Sequence, residues 1–253
     1  MSRRDDVSKY YNPSQYIDKA TSVLFYVNFA CACISCVLPD DVNQIAIIIQ
    51  VLLAVLYVLL SVSDDGLFWY TAESYRRKSA IENAFAVDLT NLQTDGYYNN
   101  NLAPSTIKYA LNAFESVFFS KSIARCMDAK EAVKSILAII VFIAACLEIK
   151  NGEIVLLVAQ TIFSSTFLIG AVGLWLYQMR LETLYREFYH ECVTVGISKN
   201  EQVSMLLADT VEYEAVKAHY KIRLSSKLFQ NKNEELSRQW AEIEGKIKIE
   251  IDI

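Results

Sequence analysis

Apolar positions in this chain fall into two kinds of run. Four stretches are apolar and uncharged from end to end. Elsewhere apolar residues recur every three to four positions among charged ones. No Asp, Glu, Lys or Arg occurs between Lys19 and Asp40, between Asp41 and Asp64, or between Glu153 and Arg180. The fourth run, Ser135 to Leu147, is shorter and bounded by Lys134 and Glu148, whose long side chains reach toward headgroups. A helix needs about 20 mainly apolar residues to cross the hydrocarbon core. Backbone groups in lipid must be satisfied within the segment, so such spans are helices. The pattern predicts an all-α membrane protein with four transmembrane helices, at about 20–38, 43–62, 132–149 and 154–178.

The connections pair these spans as two hairpins. Pro39-Asp40-Asp41-Val42 joins the first two, and Lys150-Asn151-Gly152-Glu153 joins the last two. Neither is long enough to hold a domain. The predicted organisation is an N-terminal tail (1–19), hairpin one (20–62), a helical middle segment (63–131), hairpin two (132–179) and a C-terminal helical region (180–253). An even number of spans puts the tail, the middle segment and the C-terminal region on one side. Of the 24 Lys and Arg residues only Lys150 lies in a hairpin loop. Bias of this kind places the basic side in the cytoplasm, so both termini are expected there. The first apolar run starts late and lacks a small-residue cleavage site, and reads as an anchor rather than a cleavable signal.

The predicted cytoplasmic segments carry helical periodicity. Gly66 to Leu89 reads as a helix continuing the second span, with Phe68, Trp69 and Tyr70 where an interfacial aromatic belt sits. Asn91 to Ser105 reads as a loop, marked by Asp95-Gly96, the run Tyr97 to Asn101, and Pro104. A helix follows over about Ser105 to Met127, starting at Pro104 or Ser105. Ile107, Leu111, Phe114, Phe118 and Ile123 form its buried face. The fourth span is expected to continue through Cys192, with Gly196 as its end. Glu201 to Gln239 reads as one or two amphipathic helices. The final residues, Lys246 to Ile253, alternate charge and isoleucine. That fits a strand needing a partner, from this chain or another subunit, and equally a frayed or helical tail.

Composition adds little that is contrary. Over half the residues are hydrophobic, and only three prolines and seven glycines interrupt the chain. The net charge of −5 argues against binding a nucleic-acid duplex. The six cysteines show no metal spacing, and no disulfide framework is expected. The two histidines, His190 and His219, lie far apart. No phosphate-binding loop, dinucleotide loop, nucleophile elbow or zinc-protease motif occurs. The chain is therefore expected to be no enzyme and to use no cofactor or metal.

Candidate functional residues are of two sorts. Within the spans the polar residues are neutral: Asn28, Gln50, Gln160, Thr161 and Ser164 stand out. They either hydrogen-bond between helices or line a conduit in a homo-oligomer. Outside the spans, Arg76, Arg77 and Lys78 with Tyr97, Tyr98 and Asn99 form a possible ligand set. Arginine grips phosphate bidentately, and tyrosine offers a face for a base to stack on. The plainer reading of Arg76-Arg77-Lys78 is a positive-inside anchor.

The run Glu73-Ser74-Tyr75-Arg76-Arg77-Lys78-Ser79-Ala80-Ile81-Glu82-Asn83-Ala84-Phe85, then Asp95-Gly96-Tyr97-Tyr98-Asn99-Asn100, follows the first hairpin. Asn112 to Ser120 continues the pattern. With the two-hairpin topology over about 20–180, the chain resembles the SMODS-associated four-transmembrane family of bacterial antiphage defence systems. The resemblance implies a pore-forming effector of the inner membrane, silent until a signal arrives. That signal would be a cyclic nucleotide, bound directly or relayed by a soluble partner protein. The alternative is a non-conducting scaffold that recruits a soluble partner through its C-terminal helices.

Overall fold

The computed structural model describes residues 4–35, 39–98, 100–148 and 168–250. Among the described residues the fold is all-α and about 82% helical, apart from two-residue strands at Arg4–Asp5 and Thr94–Asp95. The helices are α1 (Asn12–Ser35), α2 (Asp40–Ser63), α3 (Trp69–Phe85), α4 (Thr106–Glu148), α5 (Leu168–Tyr189), α6 (Asn200–Tyr220) and α7 (Ser226–Glu244). The chain divides into two compact units. A hairpin unit comprises Asp5–Arg77 and Lys134–Ile169. A core unit comprises Met1–Arg4, Lys78–Val133 and Gly170–Ile253.

In the hairpin unit α1 and α2 pack along each other. Among the described residues one helix is long and apolar enough to cross a membrane. It is the helical run Val42–Phe85, and none of its apolar window is buried within the protein. The other predicted spans stop short of that. The described residues of α1 end at Ser35 and those of α4 at Glu148, each within the predicted span. The fourth span falls mostly outside the described residues.

The α1–α2 contact follows a heptad. From Val42 to Leu60 the half-buried positions are Asn43, Ala46, Gln50, Leu53, Tyr57 and Leu60, and every other residue is exposed. Asp64, next in that series, is buried. Spacings of three and four are what a left-handed packed pair requires. The backbone stays helical through a π turn at Asp64–Phe68 into α3, as the predicted continuation requires. The π turn holds one extra residue, and the buried series moves by one. Leu67 and Thr71 are exposed where the series would continue, whereas Ala72 is fully buried.

The core unit buries its apolar faces. Ile107, Leu111, Phe114, Phe118 and Ile123, the face predicted for α4, are all buried. Phe114 stacks on Phe188 at 5.5 Å and meets Trp240 edge-on at 5.1 Å between ring centroids. Ser105 caps α4, its Oγ accepting from the Lys108 N–H at 3.2 Å. The predicted break between this helix and the third span is absent. With no Gly or Pro from Ser105 to Glu148, the helix runs unbroken as α4. Gly196, at φ 90°, ends the helical run after α5, as predicted. The C-terminal region forms two helices, separated where Lys221 adopts the left-handed conformation at φ 50°. The described part of the alternating tail, 246–250, finds a partner in its own chain. Ile197 donates to Lys248 O at 2.8 Å and accepts from Glu250 N–H at 2.9 Å, as an isolated parallel bridge to Ile249.

Candidate functional site

Two polar constellations lie in the hairpin unit, and sequence reasoning saw only part of each. The first is the α1–α2 seam. The Ser35 hydroxyl hydrogen-bonds Asn43 Oδ1 across the two helices. Asn28 and Gln50 each lie seven residues, two turns, further along, so the same register sets them opposite one another. Continued along both helices, it sets Thr21 opposite Tyr57 and Ser14 opposite buried Asp64. Between these polar layers sit Cys31 with Ala46, Leu24 with Leu53, and Ile17 with Leu60. Every second layer of the hairpin is thus polar from both sides. Asn28 Oδ1 and Gln50 Nε2 are shielded from solvent, and neither has a hydrogen-bond partner among the described residues. One is an acceptor and the other a donor. Gln160, Thr161 and Ser164 lie outside the described residues.

The second constellation clasps the N-terminal segment to α3. The Arg76 guanidinium donates to both carboxylate oxygens of Asp5, at 3.1 and 2.9 Å, and lies 5.8 Å from the Tyr11 ring centroid. The Tyr11 hydroxyl donates to Glu73 Oε1 at 2.7 Å. Tyr10 lies against Tyr75 at 4.4 Å with the rings tilted by 34°, and Tyr11 meets Trp69 edge-on at 5.5 Å. Val7 is fully buried beneath them. The fork geometry that made Arg76 a phosphate candidate is therefore spent on a carboxylate. A phosphate would have to displace Asp5.

The remaining ligand candidates divide between the units. Arg77 belongs to the hairpin unit, and Lys78, Tyr97 and Tyr98 to the core unit. Tyr97 and Tyr98 contact each other edge-on at 4.8 Å. Asn99 lies outside the described residues. Its neighbour Asn100 donates to Asn112 Oδ1, and Asn112, almost fully buried, donates to Asn83 Oδ1 at 2.8 Å. This relay of three amides fixes the loop on α3 and α4.

Titratable groups in the core unit serve packing. Lys121 Nζ lies 3.3 Å from the Tyr185 ring centroid and 3.5 Å from Glu182 Oε2. Burial holds the Lys121 ammonium below its usual pKa despite Glu182. Burial pushes the Cys192 thiol up to about 12, which leaves it unreactive. Asp209 is pushed up to about 6, first by burial and then by Glu187 and Glu191. His190 and His219 are exposed, and among the described residues no three His, Cys, Asp or Glu side chains converge as a metal requires. Comparison with protein-family models, curated proteins and solved structures finds no match to this chain.

Proposed function

We propose that this chain is a multi-pass effector of the bacterial inner membrane that oligomerises and permeabilises it when a nucleotide-linked defence signal arrives. Four transmembrane helices form two hairpins, and both termini lie in the cytoplasm. The reading rests above all on α2. Isoleucine, valine and leucine at Ile45, Ile48, Val51, Leu52, Val55 and Leu59 are all exposed, on a helix long enough to span. Lipid is the solvent that makes such a surface stable. The runs at 73–85, 95–100 and 112–120, similar to the SMODS-associated family, supply the defence context, and the lopsided basic residues supply the orientation.

Flux from dye- and ion-loaded liposomes carrying the purified protein tests this, with and without a panel of cyclic nucleotides. Flux appearing with one nucleotide supports effector and ligand together. Flux without addition supports the pore and moves control to a partner protein. Silence throughout defeats the reading. One observation favours the scaffold instead: α6 exposes Met205, Leu207 and Val211. Charging Leu207 and Val211 would disable a scaffold in cells and leave flux from an effector intact.

A further inference from the structure

We infer that the polar seam between α1 and α2 is a closed cation path, opened by parting the two helices, with Asp64 setting the sign of the charge it passes. The inference rests on the permeabilising reading above and names the surface and the ion class through which it would act.

Length comes first. The polar layers run from Ser35 with Asn43 to Ser14 with Asp64, 21 residues along α1. At 1.5 Å per residue that is about 30 Å, the thickness of the hydrocarbon core. A polar track of that length reaches from one headgroup layer to the other. On α2, outside the seam, Gln44 and Ser61 are the sole polar side chains between Val42 and Val62.

Redundancy comes second. One polar layer suffices to fix the register of a packed helix pair, and each interhelical hydrogen bond in a membrane contributes only about 0.6 kcal/mol. Register therefore needs one such layer, and this hairpin has four. The layers are also incompletely bonded: Asn28 Oδ1 and Gln50 Nε2 are shielded with no partner. Groups of that kind gain hydration when the helices separate.

Charge comes third. The layers are neutral hydroxyls and amides except at one end, where Asp64 is buried in the π turn. With the helices parted, Asp64 sets a carboxylate at one mouth of the path. A fixed negative charge there favours cations and repels anions. Amide and hydroxyl oxygens along the path can replace water around small monovalent cations.

The test pairs a lock with a selectivity measurement. The lock is Leu24→Cys with Leu53→Cys, an apolar layer of the same register, in protein whose Cys31, Cys33 and Cys36 are replaced by Ala, reconstituted in liposomes. The expected result is that oxidation joins α1 to α2, seen as a shift on a non-reducing gel after cleavage between them. Flux then stops, and reduction restores it. In the selectivity arm Asp64→Asn is expected to keep conducting and to lose most of its preference for potassium over chloride, read from reversal potentials. Failure of the disulfide to form overturns the register. A disulfide that forms without stopping flux overturns the path, as does selectivity unmoved by Asp64→Asn. If the wild type itself never conducts, the permeabilising reading falls, and gel-detected cross-linking still reports whether the seam is paired.

Discussion

Leu56 and Leu181 are the same side chain in the same kind of secondary structure, yet 44% of the first is exposed and none of the second. Leu56 belongs to the hairpin unit, where apolar side chains point outward and polar ones meet between helices. Leu181 belongs to the core unit, where Phe114, Phe188 and Trp240 meet inside and charge covers the outside. The hydrophobic effect drives burial only where the alternative is water. Lipid tails are as apolar as leucine, so helices within lipid gain nothing by hiding it, and hydrogen bonds and close packing decide the contact face. On the membrane reading proposed above, the chain obeys opposite patterning rules in its two units because it answers to two solvents.

Truncating the core is expected to have the largest effect. Trp240→Ala should destabilise the core unit by about 3–5 kcal/mol, seen as an earlier chemical-denaturation midpoint in mild detergent. Leu59→Ala, equally apolar but outward-facing in the hairpin unit, should leave that midpoint in place. Equal losses would erase the distinction between the units. Charge should act the other way round. Leu52→Arg, near the middle of the α2 span, should raise the cost of insertion by about 3 kcal/mol and shift protein into the carbonate-extractable fraction. Val211→Lys, outward-facing in the core unit, should not.

Removing the fork at Arg76 sharpens the boundary of the hairpin unit. Arg76→Ala should cost about 2 kcal/mol, as expected for hydrogen bonds between charged groups, and speed chymotryptic cleavage at Tyr10 and Tyr11. Unchanged cleavage would assign the hold on residues 5–11 to Val7 and the aromatic contacts alone. The smallest effect concerns pH. Asp209 titrates near 6 when folded and near 3.9 when unfolded. The folded state therefore binds this proton more tightly, and the contribution of Asp209 to stability is greatest below about pH 4 and is lost as pH rises through about 6. Asp209→Asn should remove that slope and stabilise the core unit near pH 7 by about 1 kcal/mol, a figure reduced for partial solvent screening. An unaltered pH–stability profile would dismiss the carboxylate cluster as inert.

Much of the core unit was legible because water enforces periodicity: all five predicted positions of α4 are buried, and Gly196 stops the helix where it stands. The joined length of α4 was not read, because a change from charged to apolar residues looks like a boundary while the backbone sees no breaker. In the hairpin unit Asn28 and Gln50 drew attention singly. Their meaning came from a seven-residue recurrence of polar side chains on both helices, Ser14 to Ser35 and Asn43 to Asp64. That recurrence is present in the sequence and becomes a seam once Ser35 fixes the register on Asn43. The clasp between Asp5 and Arg76 joins residues 71 positions apart, and no local pattern could pair them.

The π turn at Asp64–Phe68 bears on the clasp in a way that concerns winding. Each helical residue turns the chain by about 100°. Were the turn to tighten into ordinary α-helix, with its extra residue passed along the chain, everything beyond it in α3 would rotate by about that angle. Arg76 would swing away from Asp5, and Thr71 would take the buried place that Ala72 now holds. Asp64, at the start of the bulge, closes the last layer of the seam. Seam, bulge and clasp are therefore geared together: the segment can be unclasped by rewinding a single turn of helix, with no hinge and no loop.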